Sequence, residues 1–131
     1  MLTDHTDVHV LIVDDQASFR RAARSVVELT PGFSVVAEAE AGESGIQAAY
    51  EHKPDLVLMD VHLPGIDGLE ASRRILAASN GRPPVIFLLS TYDAAEYGDE
   101  LTACGAAAYL TKAEFGSKRL VSAWAAANGS R

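Results

Sequence analysis

Three aspartates, a serine and a lysine occupy matching places in the sequence, each where a short apolar run ends. Asp14 and Asp15 follow VHVLIV, Asp60 follows LVLM, Ser90 follows VIFLL, and Thr111-Lys112 follow AAYL. A charge placed directly after a continuous apolar run is costly to desolvate unless something shares it. If these run ends lie side by side, three carboxylates, a hydroxyl and an ammonium meet on one rim. Carboxylates that close repel one another, and one pKa rises unless a cation intervenes. A hard divalent cation resolves the conflict. Mg²⁺ fits, because it takes one or two carboxylates together with waters and phosphate oxygens. Lys112 adds a second positive point and Ser90 a hydroxyl donor. The set describes a site for a small, highly charged anion held through metal and lysine.

For that chemistry the five run ends must share an edge, and the rest of the sequence supplies the means. The apolar runs are VHVLIV (8–13), FSVVAEA (33–39), LVLM (56–59), VIFLL (85–89) and AAYL (107–110). Four of them are short and nearly continuous, as strands buried on both faces are. The second alternates more and suits a sheet edge. Helical patterns fill the gaps. In 16–29, Phe19, Ala22, Ala23, Val26 and Val27 recur every three or four residues, and Thr30-Pro31-Gly32 stops the helix. In 43–52 the stripe is Ile46, Ala49 and Tyr50. In 67–79, Asp67 is the N-cap, with Leu69, Ser72, Ile75 and Leu76 facing in. In 94–104 Tyr97, Leu101 and Cys104 make a thin stripe, and in 116–127 Leu120, Val121 and Trp124 make the last one. Five alternations of strand and helix predict the α/β class, a doubly wound (βα)5 unit with helices on both faces of a parallel sheet. The flavodoxin-like order 2-1-3-4-5 is the common one, with its ligand crevice at the carboxyl ends of strands 1 and 3.

Composition narrows the function classes. A chain of 131 residues fits one domain and one core. Eighteen acidic against eleven basic residues give a net charge of −7, which argues against a nucleic-acid surface on this chain. The single cysteine, Cys104, cannot form an internal disulfide and fits a reducing cytoplasm; its small apolar neighbours mark it as a packing residue. The start, MLTDHTDVHV, has no basic region and no long apolar stretch, so no signal peptide is expected, and no run is long enough to span a bilayer. No glycine-rich phosphate loop follows the first strand, and no GxGxxG or GxxxxGK[ST] occurs. The histidines at 5, 9, 52 and 62 lack zinc spacing.

Taken singly, each site residue has a structural explanation. Asp14 or Asp15 could cap the first helix. Lys112 alone would be a solvated strand-end lysine, Ser90 a turn residue and Tyr109 a packing aromatic. Pro64, Gly65 and Gly68 are turn chemistry. Trp124 reads as core. Only the combination of the acid pair with Asp60 favours a metal site over capping.

The segments LIVDDQ, LVLMDVHLPGIDG, LLST and AAYLTK, in that order and each at a strand end, resemble the receiver domain of bacterial two-component response regulators. The resemblance covers about residues 8 to 128 and is nearest in style to receivers that precede a LuxR-type helix-turn-helix DNA-binding domain. It implies one receiver domain over 1–131, with 1–7 as a tail and 129–131 as a helix end or linker start. It implies that Asp60 accepts a phosphoryl group from a phosphohistidine on a partner sensor histidine kinase. Asp14, Asp15, Asp60 and the backbone carbonyl of His62 would hold Mg²⁺, and Lys112 would neutralise the phosphoryl oxygens. Ser90 would close on the phosphoryl group, and Tyr109 would turn inward as the switch aromatic. The only catalysis implied is phosphorylation and dephosphorylation of the chain's own aspartate, in a bacterial cytoplasm. The output is expected through helix 4, strand 5 and helix 5, by phosphorylation-dependent homodimerisation or effector binding, with no direct contact to nucleic acid or membrane.

Two departures stand out. Ala113 follows Lys112 where the family often has a cis proline, so a trans bond is expected there. Gly98 falls within the expected fourth helix, at a cost of about 1 kcal/mol relative to alanine. Three other functions compete. The chain could be the front of a longer DNA-binding transcriptional regulator. It could be a small Mg²⁺-dependent aspartyl-phosphate phosphatase, but that enzyme needs an acid two residues after its nucleophile, where this chain has His62. It could be an interaction module independent of phosphorylation, which the complete set of acids, hydroxyl and lysine disfavours.

Overall fold

In the computed structural model, which describes residues 7–92 and 98–129, the apolar runs form the strands the sequence predicts. They are β1 (Val8–Val13), β2 (Phe33–Ala39), β3 (Leu56–Asp60), β4 (Val85–Ser90) and β5 (Ala108–Thr111). All pairings are parallel and the order is β2-β1-β3-β4-β5. The helices are α1 (Ala17–Glu28), α2 (Gly42–His52), α3 (Gly68–Ala77), α4 (Glu100–Ala103) and α5 (Ser117–Gly129). This is the flavodoxin-like α/β fold. β2 lies at an edge, and a one-residue bulge lets its pairing with β1 skip Val36.

The period of two along each strand divides the continuous apolar runs between two cores. Val10, Ile12, Leu56, Leu58, Phe87, Leu89 and Leu110 face one side, where Ala23 and Val27 of α1 and Leu120 and Ala123 of α5 cover them. Leu11, Val13, Val57, Met59, Ile86 and Leu88 face the other, under Leu69, Ala71 and Ile75 of α3 and Cys104. Each fully buried aliphatic side chain contributes about 1.5–3 kcal/mol. Such double burial is what makes the central strands read as unbroken apolar runs.

Register delivers the acids. Val13 pairs with Met59 and Asp60 pairs with Leu89, so Asp14 emerges beside Asp60. Ser90 pairs with Thr111, which brings Lys112 to the same edge. Asp67 caps α3, accepting the Glu70 N–H at 2.9 Å. Gly68 is obligatory at the start of α3, because a Cβ there would lie 2.0 Å from the Asp60 carbonyl oxygen.

Several helix faces differ from expectation. Ala22, Tyr50 and Val121 were expected to face in, but all three are exposed. On α2 the buried positions are instead Gly42 and Gly45, and at Gly45 a Cβ would come within 3.0 Å of the Val13 methyls. The helix lies too close to β1 there for a large side chain. Trp124 is half-buried and meets Phe33 edge-on at 6.3 Å. Helix α4 begins only at Glu100, and Gly98 has φ +60°, so Gly98 is a turn residue ahead of the helix. Tyr97 and the rest of 93–97, like residues 1–6 and 130–131, lie outside the described residues. Every peptide bond among the described residues is trans, Lys112–Ala113 included.

Candidate functional site

Asp14 and Asp60 are 1% and 3% exposed, whereas Asp15 is open to solvent. One carboxylate oxygen from each of the three lies within 4.8 Å of the others. Asp14 does two jobs with its two oxygens. Oδ1 accepts the backbone N–H of Gln16 at 2.8 Å and so helps start α1. Oδ2 is buried and accepts no hydrogen bond. Lys112 Nζ stands 2.7 Å from that Oδ2, but its approach lies off the hydrogen-bonding direction, so the contact is an ion pair. The same ammonium is 3.6 Å from Asp60 Oδ2, donates to Gln16 Oε1 at 3.2 Å and lies 4.6 Å from the centre of the Phe19 ring.

One lysine therefore pairs with two of the three clustered carboxylates, Asp14 and Asp60. The consequence falls on Asp60, whose pKa is pushed up from 3.8 to about 6. Burial is the largest cause and the charge of Asp14 the next, while Lys112 and the His62 N–H act in the opposite direction. That N–H donates to Asp60 Oδ1 at 3.2 Å. A buried carboxylate oxygen without a hydrogen bond, in an all-oxygen donor set with excess negative charge, fits a hard divalent cation and does not suit a soft metal.

The remaining expected residues border this cluster. Ser90 is buried at the end of β4, and its Oγ accepts the Tyr92 N–H at 3.1 Å. Tyr109, half-buried on β5, donates its hydroxyl to the Tyr92 carbonyl. The exposed His62 ring meets the Tyr92 ring edge-on at 5.3 Å. After β5 a single 3₁₀ turn, Lys112–Glu114, is closed reciprocally. Thr111 Oγ1 accepts the Glu114 N–H at 3.3 Å, and Glu114 Oε1 accepts the Thr111 N–H at 2.8 Å. Those bonds hold the Glu114 carboxyl below its usual pKa. They fix the Lys112 backbone without a proline.

Two supporting residues escape a reading of motifs. Gln16, next to the acid pair, shares Lys112 with the carboxylates. Arg20, one turn into α1, donates to the Asp14 carbonyl at 2.6 Å and is held by Glu38 at 3.5 Å. The position of Gln16 beside two acids hints at its role. Nothing in the spacing of Arg20 does.

A family model for the response regulator receiver domain matches residues 10–125. The transcriptional regulatory protein DegU of Brevibacillus brevis is 32% identical over 106 residues, covering 80% of this chain and 44% of that protein. The response regulator GacA of Pseudomonas aeruginosa is 38% identical over 105 residues, covering 80% of this chain and 48% of that protein. The chain thus spans about half the length of these curated relatives. A LuxR-family two-component response regulator from an Aurantimonas species superposes with a TM-score of 0.83 at 28% identity, over 94% of this chain and 86% of that one.

Proposed function

The chain belongs to the response regulator receiver family, a signalling module, and from that premise we propose that Asp60 is its phosphoryl acceptor. The observation that carries this reading is the placement of Asp60: buried at the end of β3, 3.6 Å from Lys112 and within 4.8 Å of oxygens from Asp14 and Asp15. The donor is a phosphohistidine of a partner histidine kinase. A carboxylate oxygen of Asp60 attacks phosphorus, the P–N bond breaks, and the imidazole leaves with the electron pair. An acyl phosphate on Asp60 results.

Asp60 must be ionised to attack, and with a pKa of about 6 it is mostly so at neutral pH. Asp14, Asp15, Asp60 and the His62 carbonyl hold Mg²⁺, which supplies positive charge to the transferring oxygens when bound. Lys112 provides the second cation, and Gln16 and the Thr111–Glu114 turn keep it aimed. Ser90 moves from the Tyr92 N–H toward the new phosphoryl oxygens. That releases the loop after β4, on which the Tyr109 hydroxyl rests, and lets Tyr109 turn inward. The output surface is then α4, β5 and α5, where a second copy or an effector binds. The family's signalling role supports a cytoplasmic setting for the reaction.

The test is intact mass after incubation with acetyl phosphate and Mg²⁺. Wild type gains one phosphoryl group, and neither Asp60→Asn nor wild type in chelator gains any. An Asp60→Asn protein labelled to the wild-type extent overturns the assignment.

A further inference from the structure

Near the amino ends of β3 and β4, at the end of the strands opposite the acids, α2 and α3 part around a cavity of about 410 Å³. It lies between the C-terminal half of α2, the end of α3, and the turns leading into β3 and β4. Ile46, Ile75, Pro54 and Pro84 form its walls. Volume and apolar lining fall in the range of small-molecule pockets. Its charge is unusual for this chain. No lining residue is acidic, although the chain carries 18 acids against 11 bases. Two cations, Lys53 and Arg82, stand at the rim, and neither pairs with a carboxylate among the described residues.

A helix C-terminus attracts cations without any ligand, but that does not account for the whole arrangement. Lys53 caps α2 at φ 46°, making it the only non-glycine described residue in the left-handed region. A left-handed residue is a common helix stop, and the Lys53 N–H donates to the Ala49 carbonyl at 3.0 Å. The Lys53 ammonium lies 5.2 Å from the centre of the Tyr50 ring. Tyr50 itself is 68% exposed, turned out of the core to flank the cavity. Apolar walls, an exposed tyrosine ring under Lys53 and two cations without carboxylate partners among the described residues line one cavity.

We infer that this cavity binds a small organic anion with a flat apolar body, its acidic head on Lys53 and Arg82 and its body against Tyr50 and the proline walls. The site is separate from the phosphoryl-acceptor reading and stands or falls without it.

The probe is 2-naphthoate, titrated into the full chain and followed by amide NMR shifts. Naphthyl phosphate, octanoate and neutral 2-naphthamide serve as comparison arms. Saturable shifts confined to residues 46–54 and 75–84 are expected, with affinity about tenfold lower for 2-naphthamide and for Lys53→Gln/Arg82→Gln. Stronger binding of naphthyl phosphate than of the carboxylate assigns the head group as a phosphate, and stronger binding of octanoate than of naphthoate overturns the flat-body requirement. These surface substitutions leave the core untouched, and an unchanged spectrum elsewhere confirms folding. Non-saturating shifts, shifts centred on the acidic site, or full affinity in the double variant overturn the proposal.

Discussion

Asp60→Asn should stabilise the metal-free protein. In the wild type the folded state holds the Asp60 proton more tightly than the unfolded chain does, because burial and Asp14 raise its pKa from 3.8 to about 6. At about 1.36 kcal/mol per tenfold change in acidity, that difference corresponds to roughly 3 kcal/mol of destabilisation once the group is fully ionised. The sign follows from proton counting. Between pH 3.8 and about 6 the native state binds more protons than the unfolded state, so this group's contribution falls as pH rises. The penalty is complete above about pH 6 and absent below about 4. Asn carries no charge and escapes it, while its amide must still find partners, so the expected gain is about 1–3 kcal/mol at pH 7.5. Urea unfolding of both proteins in chelator, at pH 7.5 and at pH 4, measures the difference and cancels the titration of groups remote from the site. The gain should shrink toward zero at pH 4. Saturating Mg²⁺ should close or reverse it at pH 7.5, since a cation at 100 times its Kd stabilises wild type by about 2.7 kcal/mol. Equal stabilities at pH 7.5 in chelator, or a gain unchanged at pH 4, would refute the reasoning.

Other perturbations test neighbouring parts. Lys112→Ala removes the one charge that pulls Asp60 down, so carboxyl NMR titration should place the Asp60 pKa above its wild-type value of about 6. Gly68→Ala forces a Cβ onto the Asp60 carbonyl, so thermal unfolding should show a loss of at least 1–3 kcal/mol and labelling by phosphodonor should fall. Thr111→Val breaks the reciprocal closure after β5 and should cost about 0.5–2 kcal/mol in urea unfolding. Hydrogen exchange with beryllofluoride and Mg²⁺ should change most in α4, β5 and α5; a response confined to α2 and α3 contradicts the proposed output face.

The strands and their order were legible because burial on both faces demands continuous apolar runs, and β1, β3 and β4 supply them. The acids were legible because a charge ending such a run needs a reason. The helix faces were less so. A stripe of three residues leaves the rotation of a short helix open, and Tyr50 and Val121 went to the outside once Gly45, Leu120 and Ala123 took the contacts. Gly98 could not be distinguished from a helix interior, since its left-handed φ depends on the turn around it. The Thr111-x-x-Glu114 pattern is a capping signature, but the turn it closes is a single one and leaves no periodicity to notice. Arg20 reaches the Asp14 carbonyl only through the fold.

The central claim is that Asp60, among the three carboxylates, carries the phosphoryl group. Borohydride reduces an aspartyl phosphate to homoserine and leaves free carboxylates alone, so it marks the acceptor permanently. Wild type treated with acetyl phosphate and Mg²⁺, trapped with borohydride and sequenced by tandem mass spectrometry, should show homoserine at position 60 and aspartate at 14 and 15. Homoserine at position 14 or 15, or none anywhere under conditions that label a known receiver, contradicts the account.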